Sequence, residues 1–327
     1  MYFVTASYAL RIMISHALIE RHTRWARTSQ GLTSSDKREF TVDPDLVIKA
    51  SHDKHQSHHV KKVSSMLWSL VALLAAAAQT ARNAMQKTLT TQLGTSGATQ
   101  VRFLYGFPFA LIFLVLVVIT TKHAPPPATP LFLSHAFAGA LLQILATALM
   151  LQAMKERSFS VTTAYTKTEP VQVALFGALF LGDHLSLLAL LAILTATSGV
   201  IIMARREGEQ LTALGLRPVF AGIAAGGVFA LSAIFFRAGI LALGDHNFVL
   251  RASTMLVWSL GIQTLVLTAS LLIINRHALT ASVRLWRSSL FAGFMGAFAS
   301  QFWFIGFSLT AAANVRTLGL VGVIFAQ

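Results

Sequence analysis

Long apolar segments, one after another, constrain this chain more than any other feature of its sequence. Eight runs each hold roughly 20 mainly apolar residues, the length that an α-helix needs to cross a bilayer, and a ninth begins at residue 314. The runs lie at 67–88, 101–121, 131–154, 161–181, 185–204, 218–241, 249–274 and 288–310. Because none alternates in polarity as a barrel strand does, the sequence predicts an all-α polytopic membrane protein with the lipid bilayer as its surroundings.

Composition argues against nucleic acid as a partner, although the net charge is +14. Only 12% of the residues are charged, about half the usual share in soluble domains. The basic residues lie between apolar runs instead of clustering on one face, as they would in a nucleic-acid-binding domain. The chain has no cysteine and no glycine-rich phosphate loop with a lysine. We therefore expect no cofactor, no thiolate metal site and no ATP-driven chemistry.

Residues 1–65 differ from the remainder, since they hold ten Lys/Arg and six Asp/Glu and no run long enough to span a bilayer. We predict a polar, disordered tail here, and Met66, directly before the first apolar segment, is a candidate for the native start. The tail contains a histidine cluster at His52, His55, His58 and His59. A metal-binding helix face is one interpretation, and a histidine-rich tail without ligand function is the one we prefer.

The two halves of the apolar part repeat each other. Phe137-Ala138-Gly139 corresponds to Phe291-Ala292-Gly293 at an offset of 154, and the order of segments agrees. Five helices make one repeat, and because five is odd the second repeat is inverted in the membrane. We therefore predict a first repeat at 66–205, a linker loop at 206–217 and a second repeat at 218–327. By this alignment the second repeat is incomplete and lacks about 30 residues, including a tenth helix.

Several short motifs, in order, resemble the EamA domain of the drug/metabolite transporter superfamily. They are 75–87 followed by Arg102-Phe103, then Glu169-Pro170, Leu181-Gly182-Asp183 and Gly199-Val200. The resemblance extends over 66–327 and implies ten helices and the export or exchange of small metabolites across a bacterial inner membrane. Two departures are the missing tenth helix and Gly322, which stands where the family often has an acidic residue.

Glu169 is the strongest candidate for transport, because an ionisable group inside a membrane is expensive and marks a functional site by default. Pro170 removes a backbone donor and is expected to kink the helix, so that carbonyls line a polar cavity. Tyr165 lies one turn earlier, as a possible substrate donor, and Lys167 points elsewhere on the helix. An arginine of another helix is therefore a better partner for Glu169 than Lys167. A structural ion pair between two helices is the alternative.

Further candidates are polar residues within the apolar segments. They are Gln79 and Asn83, Gln143 and Thr147, Gln301, Trp303 and Arg316. Amides and an indole suit a polar solute, but they also serve as hydrogen bonds between helices. Arg316 is a candidate for meeting an anionic substrate. We interpret five other basic residues as anchors at the lipid headgroups, namely Arg82, Lys87, Arg102, Arg237 and Arg251.

These features predict a secondary transporter that exports or exchanges an amino acid-like or drug-like molecule by alternating access, with proton coupling and a homodimer left open. One alternative is a non-functional remnant of such a transporter. A second is a polytopic membrane enzyme, for which two Asp-His pairs, Asp183-His184 and Asp245-His246, would have to meet. The sequence offers no other enzyme constellation, so we predict no catalytic activity.

Overall fold

The computed structural model describes residues 44–156, 159–184, 186–205 and 217–326, and most side chains from Leu67 onward. Every regular element in these residues is a helix. In chain order these are α1 (Pro44–Leu104), α2 (Phe107–Thr121), α3 (Pro130–Glu156), α4 (Phe159–Thr166), α5 (Glu169–Leu181), α6 (Leu187–Arg205), α7 (Arg217–Ala242), α8 (Phe248–Ile274), α9 (Arg276–Arg284), α10 (Trp286–Leu309), α11 (Ala312–Leu318) and a 3₁₀-helix (Gly319–Ala326).

Helix α1 reverses direction at Gly94, whose φ of 70° and ψ of 174° lie outside the helical range. Across this turn the side-chain amide of Gln86 donates to the carbonyl of Ala98 at 2.9 Å. In a straight helix twelve residues would span roughly 18 Å, so the chain must fold back. Residues 89–100 lie between two predicted apolar segments and belong to neither. In the structure they are helical on both sides of Gly94, and glycine is the residue that adopts positive φ at least cost.

A second interruption divides the predicted segment 161–181. Helix α4 ends at Thr166 and α5 begins at Glu169, with a turn at Lys167-Thr168. Pro170 has no N–H to give to the carbonyl of Thr166, and its ring opposes a continuous helix. The sequence anticipated a kink at Pro170, whereas the break lies at Lys167-Thr168 and Pro170 is the second residue of the new helix, in the first turn where proline is tolerated.

Among the described residues, five helical stretches are long and apolar enough to cross a membrane. They are Leu67–Thr121, Pro130–Lys155, Phe220–Ala242, Phe248–Ile274 and Trp286–Leu309. The first has 55 residues and contains two of the predicted segments, folded back at Gly94. The apolar stretches Leu187–Gly199 and Ala312–Phe325 are shorter. The chain is thus an integral multi-pass membrane protein, while the inverted-repeat arrangement remains a prediction.

The chain divides into two compact units. The smaller holds residues 1–63 and Ser186–Ala192, and there the hydroxyl of Ser186 accepts from the backbone N–H of Ala189 at 3.2 Å. The larger holds Ser64–Leu185 and Ile193–Gln327, with α3 packed along α7 and with α2 and α10 both packed on α8. Its core includes Phe236 and Phe304, whose ring centroids lie 4.9 Å apart.

Two regional predictions fall largely outside the described residues. Of the predicted tail, residues 1–43 are not described, and 44–65 are helical instead of lacking structure, consistent with the absence of glycine or a second proline there. The side chains of the histidine cluster lie outside the described residues, and so does nearly all of the predicted linker, 206–216.

Candidate functional site

Two interrupted helices meet in the larger unit. The first is α4–α5, and the second is α11 with the 3₁₀-helix that begins at Gly319. Helix α11 packs on α5, and α4 packs on the 3₁₀-helix, so each half contacts the opposite half of the other. The ammonium of Lys167, in the first interruption, donates to the carbonyl of Gly319, in the second, at 3.0 Å. Interrupted helices expose backbone groups that can bind polar solutes.

Glu169 and Arg316 form a buried ion pair at this crossing. The Nε of Arg316 lies 3.1 Å from Oε1 of Glu169, although the two atoms are not aligned as a hydrogen bond. Glu169 opens α5 and Arg316 lies in the last turn of α11, so each charge is stabilised by the dipole of its own helix. The arginine of another helix expected to pair with Glu169 is thus Arg316.

Aromatic rings enclose the Arg316 side of the pair. The guanidinium carbon of Arg316 lies 4.4 Å from the ring centroid of Trp303 and 5.3 Å from that of Phe307, a geometry in which the ring face attracts the cation. The indole N–H of Trp303 donates to Oε1 of Gln79 at 2.7 Å. Gly319 leaves room for this ring, since a Cβ there would overlap the indole of Trp303.

Two further arginines are buried here, Arg82 and Arg102, each only 2% exposed. The expectation that they anchor to lipid headgroups is therefore wrong.

The fold-back at Gly94 brings both arginines against Gly296 of α10, where a Cβ would lie 3.3 Å from Cδ of Arg82 and 3.1 Å from Cγ of Arg102. Nε of Arg82 donates to Oδ1 of Asn83 at 3.1 Å, and Nη1 of Arg102 donates to the hydroxyl of Thr147 at 2.8 Å. The charges of Glu169 and Arg316 act on Arg82.

Two of the remaining candidates make hydrogen bonds between helices, and one packs against a glycine. The amide of Gln263 donates to Oε1 of Gln143 at 2.8 Å, and the amide of Gln301 donates to the hydroxyl of Ser253 at 2.9 Å. Tyr165 packs on Gly222, where a Cβ would lie 2.8 Å from that of Tyr165. Their contacts therefore do not place these three beside the ion pair.

The burial of Arg82 has a signal in the sequence that the headgroup interpretation overlooked. Polar residues recur at Gln79, Asn83, Gln86 and Thr90, a spacing that places them on one helix face. Arg82 adjoins this stripe, which in an apolar segment predicts an inward-facing side. Arg102 has no such signal, because its position depends on the turn at Gly94.

The residues proposed for a membrane enzyme have other surroundings. Both carboxylate oxygens of Asp183 accept from Nη1 of Arg237, at 2.9 and 3.0 Å. Asp245, His184 and His246 are exposed. In the described part of the chain, no three His, Asp or Glu side chains lie close enough together to hold a metal ion. No observation favours the enzyme.

Comparison with known proteins bears on the first predicted repeat. Residues 66–205 match the EamA-like transporter family. A solved structure titled only "Crystal structure of protein" is similar in fold, with a TM-score of 0.53 and 14% identity over 78% of this chain and 86% of that one. No curated protein matches the chain. The family match is confined to residues 66–205, which therefore resemble the transporter domain that gives the drug/metabolite transporter superfamily its EamA-like family.

Proposed function

We propose that this chain is a secondary transporter that exports or exchanges a small metabolite, amino acid-like or drug-like, across a bacterial inner membrane by alternating access. The Glu169–Arg316 ion pair is the observation that carries the proposal. Its partners lie 3.1 Å apart, and their side chains are only 4% and 8% exposed. Buried ionisable groups of membrane segments commonly mark substrate and ion pathways.

The position of the pair suggests how it would work. Glu169 belongs to the first predicted repeat and Arg316 to the second, so the pair joins the two bodies that alternating access moves against each other. When a substrate or a proton replaces Arg316 at the carboxylate of Glu169, the tie between α5 and α11 is released. Gly226 supports the same crossing from α7, since a Cβ there would lie 2.8 Å from the carbonyl of Thr166 at the end of α4.

The test is transport by the full chain in liposomes loaded with a mixture of amino acids, carboxylates, phosphorylated sugars, nucleosides and the cationic dye ethidium. Mass spectrometry and dye fluorescence follow the loss of each compound, with empty liposomes as the control. We expect at least one compound to leave saturably. Glu169→Gln should slow that efflux by about a hundredfold per inserted molecule, because removing one partner of a buried charged contact costs roughly 3 kcal/mol in binding, while the variant still inserts into the membrane.

Proton coupling is tested with the same liposomes under an imposed pH gradient. A gradient that accelerates efflux in the wild type supports proton exchange at Glu169, and an unchanged rate removes that part of the proposal. Efflux from Glu169→Gln liposomes at the wild-type rate would contradict the role of the ion pair. No saturable efflux of any compound in the mixture would contradict the transporter assignment.

A further inference from the structure

The crossing of the interrupted helices holds more positive than negative charge. Arg82, Arg102, Lys167 and Arg316 are each between 2% and 7% exposed. Among the described side chains, Glu169 is the carboxylate that forms an ion pair with a member of this group, Arg316, at 3.1 Å. Buried charges are costly unless they are paired, so a surplus of three cations requires an explanation.

The sequence limits which other carboxylates could balance them. Residues 66–327 contain six acidic residues. Asp183 is bound to Arg237, and Asp245 is exposed in a loop. The side chains of Glu156, Glu207 and Glu209 lie outside the described residues. In the described part of the larger unit, no further carboxylate is placed to neutralise the cluster.

Neutral groups orient these cations without cancelling their charge. Asn83 accepts from Arg82, Thr147 from Arg102, and the carbonyl of Gly319 from Lys167. Nε of Arg102 is buried without a hydrogen-bond partner in the described structure. A donor of this kind, fixed in place and unused, is what a charged acceptor from outside the protein would need.

We propose that the transported substrate carries an anionic group, a carboxylate or a phosphate, which Arg82 and Arg102 bind. Both side chains run against Gly296, and guanidinium groups present a fork of N–H donors that matches the oxygens of either anion. The proposal rests on the proposed transport function. The substrate would also promote closure of the site. Removing three unpaired cations from water is unfavourable, and a bound anion reduces that free-energy cost.

The test measures binding to the purified full chain in phosphatidylcholine nanodiscs, using pairs of compounds that differ in charge. Succinate is compared with succinamide, and glucose 6-phosphate with glucose. We expect one anion to bind at least about tenfold more tightly than its neutral partner, since hydrogen bonds to charged groups differ by this much from neutral ones. The succinate and glucose 6-phosphate arms separate a carboxylate substrate from a phosphorylated one.

Two variants locate the binding. Arg102→Gln should weaken anion binding about tenfold or more, and Arg102→Lys should retain part of it because the charge remains. Arg284→Gln removes the same charge from an exposed position in α9 and should change binding less than twofold. An equal loss in Arg284→Gln would show a general effect of net charge and overturn the proposal.

The same compounds, loaded into liposomes, distinguish this inference from the function on which it rests. Anion binding without transport of any compound leaves the anion site standing and removes the transporter. Transport of neutral compounds without preferential anion binding leaves the transporter standing and overturns the anion site. Equal affinity within both pairs, or no binding of either anion, also overturns it, and this result needs only the wild-type protein.

Discussion

An ion pair lies near each end of α5, and the two differ in how their charges are balanced. Near the C-terminal end, Asp183 meets Arg237 with one positive and one negative charge, and Nε of Arg237 also donates to the carbonyl of Thr310 at 3.3 Å. At the N-terminal end, Glu169 meets Arg316 among further buried cations. Each end of α5 thus has a carboxylate paired with an arginine. The charges are balanced near the C-terminal end, whereas positive charge is in excess at the N-terminal end.

The contrast indicates which buried charges point to function. A pair whose donors and acceptors are all used has a sufficient structural reason to exist. Unused donors and unbalanced charge cost stability and persist where a protein needs them. We therefore interpret the Asp183–Arg237 contact as a clasp between α5 and α7, and the Glu169 region as the site.

Replacing Asp183 should affect stability most and transport least. Asp183→Asn leaves Arg237 without an anion, and we expect a loss of about 3 kcal/mol in unfolding free energy, the lower end of the range for breaking buried pairs because both side chains are partly exposed. Thermal unfolding in detergent measures this. The double variant Asp183→Asn/Arg237→Gln should recover part of the loss, since it removes the stranded charge. If the variant also lost transport at temperatures well below its unfolding transition, the Asp183–Arg237 contact would not be purely structural.

Gly226→Ala tests the packing that supports the crossing. The added methyl group would lie 2.8 Å from the carbonyl of Thr166, so α7 must move away, at a cost of about 2 kcal/mol. We expect a severalfold lower transport rate per inserted molecule. Gly199→Ala is the matched control, because its Cβ would meet nothing within 4 Å. Equal effects of both variants would mean that helix propensity, and not close approach, is responsible.

Trp303→Phe should have the smallest effect. It keeps an aromatic face over Arg316 but removes the indole N–H that binds Gln79, which is worth about 1 kcal/mol. A small fall in melting temperature and a less than tenfold change in transport are expected. Trp258→Phe, at a position 40% exposed, controls for the loss of an indole. A complete loss of transport in Trp303→Phe would mean that the N–H contacts the substrate.

The sequence predicted the apolar segments and the pairing of Glu169 with an arginine of another helix, because the segments and the lone acid are both visible as local patterns. Each described segment lies within or beside a helix, and Glu169 stands out as a lone acid in an apolar run. What the sequence could not supply is the fold-back at Gly94, since a stretch with two glycines, Gly94 and Gly97, is compatible with a loop or with a turn at either one. That turn decides whether Arg102 reaches the membrane surface or the buried cluster. The rule that places arginines near segment ends at the headgroups therefore failed for Arg82 and Arg102.

The break in 161–181 shows a similar limit. Proline predicts a disturbed helix, but whether the helix bends or stops depends on what satisfies the freed backbone groups. Here Gly226 lets α7 approach the carbonyl of Thr166, and Lys167 turns toward Gly319. Both partners lie in other parts of the chain, beyond the reach of a local pattern.

The decisive experiment compares Glu169→Gln and Asp183→Asn side by side, recording melting temperature and transport rate per inserted molecule in the same liposomes. The two variants make the same change, carboxylate to amide, at opposite ends of one helix. We expect both variants to lower the melting temperature, because each leaves a buried arginine without its anion. Glu169→Gln should in addition lose about a hundredfold in transport per inserted molecule, since removing one partner of a buried charged contact costs roughly 3 kcal/mol in binding, whereas Asp183→Asn should transport at close to the wild-type rate. Equal losses of transport rate in the two variants would contradict the division of α5 into a structural end and a functional end.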